Sequence, residues 1–224
     1  MKKTILTLFV GLMANQAASA AFTDADYFSI GSDTTTELAV SPLEMTPVYE
    51  GNIGTAIDEA HVILDKIILL GKKVWNIVEA GKPVANFTSA RADLLPQGIT
   101  TWQQLGGWQV PVSRRYERKI QNKFGATVVH FRYRIVYNWG GNVNGKGLYL
   151  MGITVYPEIV DVAWGWKFDA TASIPTVANA GTSAFPTAAA EVLISSQIRT
   201  PLTHLDNTES YYVRGDGYFV DLQK

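Results

Sequence analysis

Apolar and polar side chains alternate between Thr127 and Trp139. Thr127, Val129, Phe131, Tyr133, Ile135, Tyr137 and Trp139 fall on one side, and Val128, His130, Arg132, Arg134, Val136 and Asn138 on the other. A period of two is that of a strand with one buried face, so this stretch predicts a half-buried antiparallel strand. Upstream, from about Trp108 to Gln121, the apolar residues Trp108, Val110, Val112, Tyr116 and Ile120 occupy even positions. Asn122-Lys123-Phe124-Gly125 joins the two runs. Directly opposed residues share a face, so the register must pair even numbers with odd ones. Two registers do so. One sets Tyr116 opposite Phe131, Glu117 opposite His130 and Arg115 opposite Arg132. The other sets Glu117 opposite Arg132 and Arg115 opposite Arg134. A bulge at Gly125 would cancel the rule.

Further on, Asn144-Gly145 is a strong turn signal. Leu148 to Tyr156 is apolar on both sides, as in a doubly covered strand, and Pro157 is expected to end it. Ile159 to Ala172 alternates again, with Val160, Val162, Trp164, Trp166 and Phe168 inward. Residues 173–190, rich in Ala, Thr, Ser, Pro and Gly, read as a long loop. Glu191 to Pro201 and Ser210 to Leu222 are the last strands, the latter interrupted by Arg214-Gly215-Asp216-Gly217.

Residues 56–80 read differently. Ile57, Ala60, Leu64, Ile67, Ile68, Val74, Trp75 and Val78 recur at spacings of three and four, the period of an amphipathic helix. Thr55 can cap its start, and Gly81-Lys82-Pro83 is a stop signal. Gly71 is a weak point inside it. Residues 21–55 lack a sustained period and read as an acidic extended arm with at most a short edge strand. The expected fold is therefore α+β: a mainly antiparallel sheet, a sandwich-like meander of about six strands, with one long amphipathic helix packed on it. Residues 56–224 form a single domain in this reading. A small outer-membrane β-barrel is the competing architecture; few strands and a long helix speak against it.

The first twenty residues change the cellular picture. Lys2 and Lys3 precede the apolar run Ile5 to Met13, and Ala18-Ser19-Ala20 is a small-residue cleavage site. That is the pattern of a bacterial-type signal peptide, with a run too short to span a bilayer. The expected destination is exported, periplasmic or extracellular. The 224 residues include no cysteine, which removes disulfides, thiolate metal sites and Cys nucleophiles from consideration.

Charge is polarised. Residues 21–59 hold eight acids and no Lys or Arg, while residues 101–150 hold eight basic residues and the single acid Glu117. On the hairpin, Arg115, Lys119, Arg132 and Arg134 fall on the solvent side, with Lys123 at the turn. They are the candidate ligand-binding residues, for an anionic glycan or a lipid headgroup. Nucleic acid is not an expected partner of an exported chain. The acidic arm lying across the hairpin is the alternative use of these charges.

Catalytic signals are sparse, and no catalytic residue is assigned. Asp58, His61 and Asp65 would share a helical face, but one carboxylate-x-x-His without a second such pair is a poor metal signature, so neither metal nor cofactor is expected. His130 and Glu117 suit a cross-strand acid–base pair that lacks a nucleophile. Trp164 and Trp166 are read as core rather than as a sugar platform. Arg214-Gly215-Asp216 matches an adhesion tripeptide in a sequence context that favours a turn anyway. The favoured function is an exported, non-enzymatic binding or surface module. The alternative is a hydrolase acting on an envelope polymer.

Overall fold

A computed structural model describes residues 23–39, 61–84 and 91–223. The expected signal peptide and residues 40–60 of the acidic stretch lie outside the described residues. Among those described, the chain is nearly all antiparallel strand: β1 (Ile30–Leu38), β2 (Ile63–Gly71), β3 (Val74–Glu79), β4 (Lys82–Pro83), β5 (Ala92–Gln97), β6 (Val112–Asn122), β7 (Thr127–Val143), β8 (Lys146–Val162), β9 (Lys167–Ser173), β10 (Val177–Asn179), β11 (Ala188–Arg199), β12 (His204–Arg214) and β13 (Phe219–Asp221). A four-residue helix, α1 (Asp24–Tyr27), precedes them. One sheet has the order β1-β6-β7-β8-β5-β2. The other runs β13-β12-β11-β9-β3-β4, with β10 also on β11. Their inner faces meet in a sandwich-like core in which Phe131 of one sheet packs on Phe168 of the other, ring centroids 5.1 Å apart.

The β6–β7 hairpin adopts the second of the two registers. Tyr116 opposes Tyr133, Glu117 opposes Arg132 and Arg115 opposes Arg134. The even–odd rule holds from Val112 to Ile120 and breaks at the next residue, where a register shift meets the turn. There Gly125 takes a φ of +78°, and the Asn122 side chain accepts the backbone N–H groups of Phe124 and Ala126. Asn144 and Gly145, with φ of +50° and +79°, make the tight turn between β7 and β8. Two left-handed residues are what a primed hairpin turn requires.

The long helix does not exist. Residues 63–79 form β2 and β3, and residues 56–60 lie outside the described residues. The α+β expectation is corrected to a two-sheet β architecture. The physical reason is local ambiguity: a short apolar run such as Ile67 to Leu70 satisfies a period of 3.6 and a doubly covered strand alike. Tertiary pairing decides, since β5 supplies Leu95 opposite Ile68 and Leu94 opposite Leu69. Gly71, at a φ of +95°, ends β2 where a Cβ would lie 2.4 Å from the Arg91 carbonyl oxygen. The supposed stop signal is a hairpin turn instead, with Ala80 and Gly81 at φ of +50° and +75°.

Other boundaries move for similar reasons. Pro157 does not end β8 but sits inside it at a register irregularity, where a missing N–H is tolerated. Trp164 is not core: it is 84% exposed on the turn before β9, whereas Trp166 and Phe168 are buried. The expected loop 173–190 contains β10 and the start of β11, where Ala188, Ala189 and Ala190 are fully packed. Small side chains lowered the apolar bulk without preventing burial.

Candidate functional site

The outer face of the β6–β7 hairpin carries the predicted basic residues. Arg115, Lys119, Arg132 and Arg134 stand there together, while Lys123 lies apart on the exposed turn. Two carboxylates hold them. Glu117 lies 2.6 Å from Arg132, 2.8 Å from Lys119 and 2.8 Å from His130 Nε2. Glu158, on β8, lies 2.7 Å from Arg115 and 3.2 Å from Arg134. Glu158 was hidden from sequence reading because Pro157 marked a strand end. Lys119, Arg132 and Arg134 are 48%, 32% and 28% exposed, against 13% and 19% for Glu117 and Glu158, while Arg115 is as enclosed as its partner Glu158, at 16%.

The acidic stretch does not cover this face within the described residues. β1 pairs with β6 as an edge strand, and its acids meet other arginines: Glu37 lies 3.2 Å from Arg114, and Asp33 binds Arg118. The Glu117–His130 pair of the sequence reading forms, with a second carboxylate, Asp161, 3.7 Å from His130 Nδ1. It is unsuited to general-base chemistry through Glu117. Hydrogen bonds from Lys119, Arg132 and His130 pull that carboxyl down to about 2, and so weak a base takes protons poorly near neutral pH.

This depression has a stability consequence. The unfolded carboxyl titrates near 4.5, the folded one near 2. Its contribution is therefore fully present above about pH 4.5 and lost as pH falls towards 2. Glu117→Gln should flatten the acid limb of unfolding free energy between those values in wild-type-minus-variant denaturation curves. A difference independent of pH across that window would contradict the ion-pair geometry.

A second polar cluster lies between the sheets. Arg118 is 1% exposed, with Nε 2.9 Å and Nη2 2.6 Å from the two Asp33 carboxylate oxygens, and Nη1 donating to Ser196 of β11. Burial alone would lower the guanidinium pKa, but the bidentate Asp33 contact outweighs it, and the group stays charged. Beside it, the buried Glu209 carboxylate of β12 accepts a 2.7 Å bond from the Tyr133 hydroxyl and another from Thr35 of β1. Tyr211 lies 2.6 Å from Tyr133, oxygen to oxygen. Burial pushes both tyrosine hydroxyls well above their ordinary range, so both remain neutral donors. The cluster clamps β1 to both sheets. Parity carried a signal for it: Arg118 shares even numbering with Tyr116 and Ile120, hence their inward face.

The remaining candidates find no shared site. Asp58 lies outside the described residues, and among those described no group of three or more His, Asp or Glu side chains is arranged to hold a metal ion. Arg214 and Asp216 pair with each other at 2.5 Å across the β12–β13 turn, which ties up both charged ends of that tripeptide. No described helix is long and apolar enough to cross a membrane. The chain matches no protein-family model, no curated protein and no solved structure.

Proposed function

We propose that this protein is an exported, non-enzymatic binding module whose β6–β7–β8 face engages an anionic surface ligand, a phosphate- or carboxylate-bearing lipid or glycan. One observation carries the reading: Lys119, Arg132 and Arg134 are more exposed than Glu117 and Glu158, the acids that orient them. Glu117 and Glu158 pre-order three arginines and a lysine, which lowers the entropy lost when a ligand is gripped. Their guanidinium forks suit bidentate contact with phosphate or carboxylate oxygens. The leader-like N-terminus supports export, and the weak basicity of Glu117 speaks against hydrolysis at this face.

The test compares two probes: vesicles of phosphatidylglycerol against phosphatidylcholine, and soluble polygalacturonate. Binding to one anionic probe should weaken at least about tenfold in the Arg132→Gln/Arg134→Gln double variant and should fall steeply with added salt. Vesicle binding without glycan binding assigns the lipid source, and the converse assigns the glycan. Absence of binding to both, or binding insensitive to the double variant, overturns the proposal.

A further inference from the structure

At the opposite face of β6 the two sheets part along an edge, and β1, β12 and β13 bound a cavity of about 280 Å³. Among the described residues its walls carry three carboxylates, Glu37, Glu209 and Asp221, and no Lys, Arg or His; Lys224, next to the lining residue Gln223, lies outside the described residues. Tyr116 lines it as well. This tyrosine is 1% exposed, and its hydroxyl has no hydrogen-bond partner among the described residues. A buried hydroxyl without a partner is costly, so native structures rarely leave one without a use.

From this cavity we infer a second binding site, for a small organic ligand that carries a primary ammonium group. Glu37 and Asp221 supply carboxylate acceptors, and the Tyr116 oxygen is a further one. The Tyr116 hydroxyl is held neutral, pushed up by burial and then by Glu37 and Asp221, which places those acids close to it. Arg114 is a cation already in reach. It pairs with Glu37 from outside the cavity and lies over the Phe219 ring, 5.4 Å from its centroid. Residues 40–60, which join β1 to β2, contain no Lys or Arg and so bring no cation of their own.

A metal ion fits less well. Hard divalent cations want six or more oxygen ligands in calcium sites and near-ideal octahedra in magnesium sites. Both Glu209 oxygens already accept bonds from Thr35 and Tyr133, and no described carboxylate group has metal-binding geometry. An ammonium group asks only for two or three acceptors and tolerates their spread.

The test titrates the full chain with 1,5-diaminopentane, using 1-pentanol as the uncharged control and calcium chloride at matched ionic strength as the metal control. Binding is followed by calorimetry and by amide chemical shifts. Saturable binding of the diamine should shift signals of β12, β13 and β1, and 1-pentanol and calcium should not reproduce it. Tyr116→Phe removes an oxygen that has no partner among the described residues, so the variant should be at least as stable as wild type while binding the diamine at least about fivefold more weakly. Asp221→Asn, a second variant at the chain's last strand, should weaken it similarly. Failure to saturate, equal response to calcium, shifts elsewhere in the fold, or unchanged affinity in Tyr116→Phe would each overturn the site.

Discussion

Replacing Arg118 by Met is expected to lower the unfolding free energy by about 3–5 kcal/mol, the usual cost of removing one partner from a buried ion pair. The side chain is sealed between the sheets with Asp33 and Ser196 on it and Glu209 nearby. Methionine fills most of its volume and none of its charge. Asp33 and Glu209 are then left facing each other's field in a poorly solvated interior. Urea denaturation measures the loss directly, and the thermal midpoint should drop by roughly 10 °C. A second variant separates charge from packing. In Arg118→Met/Asp33→Asn the orphaned charge of Asp33 is gone, so more than half of the loss should return. A single-variant loss under about 1 kcal/mol would mean that Arg118 reaches water and that β1 does not cap it.

Gly71→Ala should destabilise the fold by about 2–3 kcal/mol. Two costs combine: alanine at a φ of +95°, and a Cβ placed 2.4 Å from the Arg91 carbonyl oxygen. The sign is the informative part. In a helix over 56–80 the same change would stabilise by roughly 1 kcal/mol, because alanine is the better helix former. Gly125→Ala is the companion measurement. Its φ is +78°, but an added Cβ meets nothing within 4 Å, so only the backbone cost of about 1 kcal/mol should appear. A stabilised Gly71→Ala variant would restore the helix and remove β2 from the sheet.

The candidate site was partly legible. Alternation in β6 and β7 put Arg115, Lys119, Arg132 and Arg134 on one face, and they stand together there. What the alternation left out is their partners. Glu158 reaches the face from β8, across a bulge at Pro157 that reads in sequence as a break. Asp33 and Glu209 approach Arg118 from strands distant along the chain. A carboxylate's choice of partner across that separation depends on how sheets stack, which no local period encodes. Trp164 shows the reverse error. It continues an alternating series in the sequence, yet Gly165, at a φ of +78°, turns the chain and carries the indole into solvent.

The sequence by itself determined the inward and outward faces of β6 and β7, the parity of their register and the turn at Asn144-Gly145. These rest on backbone sterics within a few residues, where two-residue alternation and left-handed glycine leave little freedom. Only the tertiary structure decided that 63–79 is strand and that Arg118 is buried. An apolar run shorter than two helical turns fits either geometry, and the choice falls to whichever neighbour completes its backbone hydrogen bonds. Here those neighbours are β5 and β9, which lie elsewhere in the chain.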